Sequence, residues 1–234
     1  MNLYKYMLNN GSYLFKYRGQ IPLILFLVSI PIIHETSYLA KINQNTQLII
    51  QYTAIFIGIF GLFLRYFTTA TTPNGTSGRN RDKQIADRLN TTGIYSVVRN
   101  PLYLANYLIW LGISIYSASY ILVIVSSFIF FIVYERIILT EELYLSRKYK
   151  EKYSQFLLKT PCFLPSIKKY RKSNESFSFK KILKQEYSST LSTIIAFIYI
   201  DVLTNYTFNN ILNFEKVHII ILGVSVFLTL LLKI

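Results

Sequence analysis

The residues best placed to do chemistry lie in a short run, Gly93–Tyr107, in which polar side chains precede an apolar stretch. Pro101 suits the first turn of a helix, where its missing N–H costs nothing, so Arg99 is expected just before the helix N-terminus. Tyr103 and Tyr107 follow four residues apart on one helix face. A cation, free backbone N–H groups and an aromatic face together suit a carboxylate that lies next to an adenine or a sulfonium.

A second polar run, Tyr134–Glu142, follows the next apolar stretch. Glu135, Leu139 and Glu142 share one helix face, because residues three, four and seven apart stack. Carboxylates at this position suit an ammonium group, and the helix is expected to continue beyond them and to break at Pro161. An ordinary charged collar, where a helix leaves the bilayer, explains the same residues. Residue types alone therefore leave both interpretations open.

Apolar stretches with the length of a membrane span surround these two runs. They are Leu14–Ile33, Gln47–Phe67, Leu102–Tyr134, Ser188–Leu203 and Val217–Leu232. Leu102–Tyr134 has no charged residue, is too long for one helix, and predicts two helices joined near Ser117–Ser119. The expected fold class is all-α: a polytopic transmembrane helix bundle of about six spans, forming a single membrane domain over residues 1–234.

The basic residues are divided very unequally between the two sides of this six-span arrangement. If the N-terminus lies inside, 23 of the 25 Lys and Arg residues fall on the inner side, and Lys41 and Lys216 fall outside. This asymmetry follows the positive-inside rule. It predicts a multi-pass protein of the cell membrane with both termini in the cytoplasm; in a bacterium this is the inner membrane.

The composition of the chain argues against a nucleic-acid partner and against a metal site. The chain is 52% hydrophobic and its formal net charge is +14, a value that would suggest nucleic acid in a soluble protein. The basic residues here are confined to loops between apolar spans, which the positive-inside rule and anionic lipids explain more simply, so no nucleic-acid partner is expected. Cys162 is the single cysteine, and no His/Cys spacing predicts a metal site.

The combination of motifs resembles the isoprenylcysteine carboxyl methyltransferase and phospholipid methyltransferase family of integral-membrane enzymes. That family has an Arg-His-Pro-x-Tyr stretch opening one helix, a Glu-Glu pair after the next helix, then an aromatic helix and a Pro-containing tail. The matching residues here are Arg99-Asn100-Pro101-Leu102-Tyr103, Glu141-Glu142, Tyr149 and Tyr153, and Thr160–Pro165. The resemblance covers about residues 75–165, within a methyltransferase-like core at 69–186 between N-terminal spans (1–68) and C-terminal spans (187–234).

This resemblance implies a methyltransferase that uses S-adenosylmethionine as methyl donor. Arg99 would meet the donor carboxylate, and Glu142 or Glu141 would take the amino group; Arg99 and Glu142 are the expected catalytic residues. Tyr103 would line the donor pocket. The residues implied in cofactor binding are Arg99, Asn100, Pro101, Tyr103, Glu141 and Glu142.

Two residues depart from the family pattern. Asn100 stands where the family has His, and Ala105 stands where a Gly is usual. Asn can donate and accept hydrogen bonds, but it is neither a cation nor a proton acceptor near neutral pH. Reduced donor affinity, or a catalytically degenerate protein, is therefore an open alternative.

The acceptor is expected to be a lipid or a prenylated or otherwise lipidated substrate with a carboxylate, phosphate or amine headgroup, at the cytoplasmic face. Arg79, Arg81 and Arg88 suit an anionic headgroup, although positive-inside bias alone also explains them. The segments Thr76–Asn80 and Leu89–Gly93 resemble a bacterial subgroup that methylates lipid phosphates, including those of lipid A. A membrane scaffold and a small transporter remain as non-enzyme alternatives.

Overall fold

The computed structural model of the protein describes residues 2–36, 42–73, 76, 86–173, 175–210, 212 and 214–233. Its helices are α1 (Leu3–Tyr17), α2 (Pro22–Thr36), α3 (Gln44–Ala70), α4 (Pro101–Tyr116), α5 (Tyr120–Tyr149), α6 (Glu151–Lys159), α7 (Phe179–Asn209) and α8 (Lys216–Lys233). Over these residues the only β-type pairing is an isolated bridge between Gly93 and Arg171. The prediction of an all-α membrane bundle is confirmed.

Four of the described helices, α3, α5, α7 and α8, are long and apolar enough to cross a membrane. The pair α1 and α2 supplies a fifth candidate if the two are counted as one bent span. Helix α4 is apolar but has 16 residues, so it rises only about 24 Å. The expected number of six spans therefore stays a prediction.

The first expected span, Leu14–Ile33, is not one helix. Helix α1 ends at Tyr17, and α2 begins at Pro22 at an angle of 91°. Pro22 fixes a backbone angle suited to a new helix start, and its ring cannot continue an incoming helix. The basic residues Lys16 and Arg18 thereby lie at the bend and not within a straight apolar span.

Helices α3 and α4 approach closely because small residues line their contact. A Cβ atom on Gly61 would lie 2.8 Å from the Ala105 carbonyl oxygen, and one on Gly112 would lie 2.6 Å from the Ala54 carbonyl oxygen. Such distances exclude a larger side chain at either glycine. Small residues that let backbones approach are a usual basis of helix association in membranes.

The predicted break near Ser117–Ser119 is confirmed. Helix α4 ends at Tyr116, Ala118 has a positive φ of 52°, and α5 starts at Tyr120. The Ser119 hydroxyl accepts a hydrogen bond from the Leu122 N–H at 3.2 Å, which caps the new helix. Helices α4 and α5 therefore form an antiparallel hairpin. The start of α4 and the end of α5 come to the same end of the bundle, called here the polar end.

A buried ion pair attaches α7 to α3 near the polar end. The Arg65 Nε donates to Glu186 Oε2 at 2.8 Å, and the two side chains are 15% and 4% exposed. Thr69 donates a second hydrogen bond to Glu186 at 2.8 Å. Arg65 also donates to the amide oxygen of Asn106, and Asn106 donates to the Tyr134 hydroxyl at 3.2 Å. One hydrogen-bonded network thus joins α3, α4, α5 and α7.

The prediction of orientation can be checked by labelling exposed positions at both ends of the bundle. We expect Cys introduced at Ser154, on α6, to react with a membrane-impermeant thiol reagent only from the cytoplasmic side. Cys introduced at Asn210, after α7, should react only from the opposite side, because 23 of 25 basic residues favour this orientation. The measurement uses sealed vesicles of known orientation and a Cys162→Ser background. Labelling of both positions from the same side would contradict the expected orientation.

Candidate active site

The chain entering α4 is held by a segment that follows α6, and residues 160–173 of that segment are called here the strap. The Gly93 N–H donates to the Arg171 carbonyl at 2.7 Å, and the Ser166 N–H donates to the Val97 carbonyl at 3.0 Å. Gly93 has a φ of 60°, a backbone conformation that favours glycine. The strap therefore fixes the loop that carries the candidate residues.

Arg99 lies just before α4, as predicted, and its guanidinium is almost fully engaged. Its Nε and Nη2 approach Glu142 Oε1 at 3.1 and 2.9 Å, and its Nη1 donates to the Leu157 and Thr160 carbonyls at 3.2 and 2.7 Å. These two carbonyls belong to the C-terminal end of α6, where a cation satisfies oxygens that lack helical partners. Arg99 thus connects α4, α5 and α6, with its side chain 14% exposed.

Cys162 of the strap lies beside the same ion pair. Its Sγ is 3.9 Å from Glu142 Oε1. Burial raises the pKa of the Cys162 thiol, and the charge of Glu142 acts in the same direction. The thiol is therefore protonated near neutral pH, and a thiolate nucleophile is not available at this position.

Asn100 joins the start of α4 to the strap. Its Nδ2 donates to the Cys162 carbonyl at 3.1 Å and lies 3.5 Å from the Cys162 Sγ. Pro101 occupies the first helical position and is buried. The family's His position is therefore used here for a side-chain contact with the strap.

The two glutamates face different partners. Glu142 pairs with Arg99, whereas Glu141 is hydrogen-bonded to the Tyr103 hydroxyl and also interacts with the charge of Arg18, which directly follows α1. The Tyr103 ring lies 4.9 Å from the Tyr134 ring. An aromatic surface thus continues directly from the carboxylates.

Further aromatic side chains extend this surface towards the apolar part of the bundle. The Tyr107 ring lies 5.0 Å from Phe130, 5.3 Å from Phe131 and 5.9 Å from Phe163. Phe163 belongs to the strap, so the strap covers the aromatic cluster as well as the ion pair. The arrangement combines a charge-neutral ion pair with an aromatic wall at the polar end.

Comparison with known proteins places this region in a family. Residues 45–152 match the family described as phospholipid methyltransferase. The match covers 108 of the 234 residues, so this segment is similar to the phospholipid methyltransferase family. The resemblance inferred from the motifs is thereby confirmed, whereas the narrower resemblance to a bacterial lipid-phosphate subgroup stays a prediction.

Two known proteins are similar to this chain over a shorter stretch of 83 residues. The cobalt-zinc-cadmium resistance protein CzcN of Cupriavidus metallidurans is 34% identical over 83 residues, which is 36% of this chain and 38% of the relative. The nickel-cobalt-cadmium resistance protein NccN of Alcaligenes xylosoxydans xylosoxydans is 32% identical over the same lengths. The matched part of the chain thus spans well under half of either relative. No solved structure matches the chain significantly.

The phospholipid methyltransferase segment contains every residue predicted to bind the donor. Arg99 and Glu142 are in direct contact, Tyr103 contacts Glu141, and Asn100 and Pro101 open α4 beside them. The structure thus brings the six residues to one end of the α4–α5 hairpin. Their roles in binding and catalysis stay predictions.

Of the three arginines predicted for the substrate headgroup, Arg88 is the one that the structure describes, and it is not part of this group. Arg79 and Arg81 lie outside the described residues. Arg88 forms an exposed ion pair with Glu175 at 2.5 Å and lines a separate cleft of about 210 Å³ with Tyr95 and several hydroxyl-bearing side chains. Burial raises the pKa of Tyr95, and the Glu141 carboxylate acts in the same direction.

Sequence reasoning missed the residues that support the site from outside the phospholipid methyltransferase segment. Arg18, directly after α1, interacts with Glu141, and Glu186 on α7 pairs with Arg65. The sequence did mark Arg65 as unusual, since it is a single charged residue near the end of an apolar stretch. A buried charge requires a partner, but the sequence did not indicate which residue that partner is.

We expect Asn100→His to maintain or improve the affinity for S-adenosylmethionine. The imidazole Nδ1 has nearly the same position along the side chain as the Asn amide, so it can keep the hydrogen bond to the Cys162 carbonyl. Calorimetric titration of the donor into both proteins measures the effect. If the larger ring is crowded by the strap, binding should instead weaken by about 1–3 kcal/mol, which would contradict the transfer of the family motif to this position. Absence of donor binding in both proteins would support the degenerate alternative.

Proposed function

We propose that the protein is an integral-membrane methyltransferase that uses S-adenosylmethionine and acts on a lipid or lipidated substrate at the cytoplasmic face. The observation that supports this most directly is the Arg99–Glu142 ion pair, which lies inside the phospholipid methyltransferase segment and beside an aromatic wall. A multi-pass bundle provides direct access to a lipid headgroup at the membrane surface.

The amino-acid part of the donor fits the chemistry of this ion pair. A carboxylate can take the place of Glu142 opposite the Arg99 Nε and Nη2, which present two parallel donors. An ammonium group can then pair with Glu142. The carbonyls of Leu157 and Thr160 hold the other side of the guanidinium, so Arg99 keeps its position while its partner changes. One ion pair is replaced by two, and the site stays charge-balanced.

The remaining residues supply an aromatic and water-poor environment. When bound, S-adenosylmethionine would supply a methyl group on a positively charged sulfonium. The face of Tyr103, which is only partly buried, suits a cation or a planar base. The covering by Phe163 limits the access of water. The protein would act mainly by aligning donor and acceptor and excluding water.

The acceptor is proposed to bind by its headgroup in the cleft beside Arg88. Hydroxyl and amide groups line this cleft, including those of Thr72, Asn90 and Tyr95, and its volume of about 210 Å³ suits a headgroup and not a whole lipid. Such a lining can bind a phosphate, a carboxylate or an amine, so the headgroup class and the bacterial lipid-phosphate subgroup remain to be tested.

The decisive experiment uses the full chain purified in detergent with methyl-labelled S-adenosylmethionine and a total lipid extract. We expect label in the organic phase and a single labelled lipid class by mass spectrometry. Binding of the donor without any labelled lipid would favour a degenerate scaffold. Absence of donor binding would overturn the proposal and favour a scaffold or a transporter.

Both relatives are named as metal-resistance proteins. Within the described part of the chain, no group of three or more His, Cys, Asp or Glu side chains could hold a metal ion. The function proposed for this chain is methyl transfer to a membrane component.

A further inference from the structure

A second cleft, of about 380 Å³, lies where the C-terminal end of α6 meets the strap. Its lining residues are Ser96, Leu158, Lys159, Thr160, Lys169 and Arg171. Three of these six residues are cations and none is an acid. Among the described residues, none of the three cations takes part in an ion pair. The cleft therefore has an uncompensated positive charge.

The cations are attached to a fixed frame. The Arg171 N–H donates to the buried Ser96 hydroxyl at 2.8 Å, and the Arg171 carbonyl accepts from the Gly93 N–H at 2.7 Å. Lys159 ends α6, where the Thr160 carbonyl accepts a hydrogen bond from Arg99. The Lys169 N–H donates to the Ser166 carbonyl at 3.1 Å, so the backbone positions of the three cations are set before any ligand binds.

Large apolar side chains surround this positive cleft on the molecular surface. Leu158, Leu164 and Ile167 are 86%, 78% and 80% exposed, and Tyr170 is 53% exposed. Exposed aliphatic side chains next to cations are typical of a surface that lies at the boundary between lipid headgroups and acyl chains. Positive-inside bias explains basic residues in a loop, but it explains neither the apolar rim nor the cleft.

We propose that this cleft binds the phosphate-bearing headgroup of an anionic phospholipid, with the acyl chains packed over Leu158, Leu164 and Ile167. The charge of Lys159, Lys169 and Arg171 is complementary to such a headgroup, and each basic residue near an anionic membrane surface adds to its attraction. Binding of this lipid would not depend on methyl transfer.

The test measures binding of short-chain phosphatidylglycerol to the full protein in a neutral maltoside detergent, without donor. We expect a triple variant, Lys159→Gln/Lys169→Gln/Arg171→Gln, to bind phosphatidylglycerol about five- to tenfold more weakly than the wild type does. The matched control, Lys152→Gln/Lys180→Gln/Lys184→Gln, removes three exposed charges elsewhere and should change binding less than twofold. Single Lys169→Gln should show a smaller loss in the same direction, which keeps the test informative if the triple variant does not fold.

Three further arms separate the sources of binding. Phosphatidylcholine of the same chain length should bind weakly, and inorganic phosphate should compete only at much higher concentration than the lipid. Leu164→Ser/Ile167→Ser should weaken the lipid but not phosphate. Equal losses in both triple variants would show diffuse charge and overturn the proposal. Equal binding of phosphatidylcholine, or of phosphate alone, would overturn it as well.

Discussion

Replacing Glu142 with Gln is expected to weaken binding of S-adenosylmethionine by more than tenfold and up to about 100-fold, or about 1.4 to 2.7 kcal/mol. The donor has a carboxylate, an ammonium group and a sulfonium, so its net charge is positive. With the carboxylate paired with Arg99, loss of the Glu142 charge leaves the donor ammonium desolvated without a counter-charge. Calorimetric titration on the detergent-purified protein measures the change.

Arg99→Ala should also weaken donor binding by more than tenfold, but it has a second effect. Arg99 holds the carbonyls of Leu157 and Thr160, so its loss also loosens the end of α6 and lowers thermal stability. Glu142→Gln has nearly unchanged shape and separates the two effects. Lys168→Ala, on an exposed turn of the strap, is the control and should alter neither quantity. If all three variants bind donor alike, the assigned site is wrong.

Local rules were sufficient to predict where the candidate residues lie along the helices. Pro101 predicts a helix start, and the charge-free block Leu102–Tyr134 predicts two helices in a hairpin. Short-range information thus places Arg99 and Glu142 at the same end of that hairpin. The carbonyl partners of Arg99 could not be predicted in this way. They depend on the position of the strap, whose hydrogen bonds to residues 93–99 join positions about 60 to 80 apart in sequence.

The sequence also contained a signal for helix pairing that was not used. Ala54 and Gly58 are four residues apart on α3, and Gly61 follows one turn later. Spacing of this kind marks a face where another membrane helix can approach closely, and in the structure α4 lies there with Ala105 and Gly112. The usual Gly at position 105 is not required, because Gly61 opposite it provides the space.

The bend between α1 and α2 and the start of α7 were harder to predict. Hydropathy averages over a window, so it joined Leu14–Ile33 into one stretch although Pro22 divides it. Conversely, polar residues after Phe179 lowered the mean hydropathy, so the apolar stretch that corresponds to α7 was expected to begin only at Ser188. In the structure α7 starts at Phe179. Its polar first part includes Glu186, which pairs with the largely buried Arg65, and a hydropathy average does not take such a partner into account.

Replacing Glu186 with Gln is therefore expected to lower the free energy of unfolding by about 3 kcal/mol, since it leaves the Arg65 guanidinium largely buried without a counter-charge. Thermal unfolding in detergent measures the change. Glu175→Gln, which breaks the exposed ion pair with Arg88, is the matched control and should cost less than about 1 kcal/mol.

A double variant tests whether the effect belongs to the pair. Arg65→Met combined with Glu186→Leu removes both charges, so it should be more stable than Glu186→Gln alone, because no unpaired charge remains. The double variant also removes the hydrogen bond from Arg65 to Asn106, which holds the Tyr134 hydroxyl beside Tyr103. We therefore expect recovered stability together with weaker donor binding. A double variant that binds donor like the wild type would show that the network supports only the fold. One that is no more stable than Glu186→Gln would contradict the ion pair as the cause.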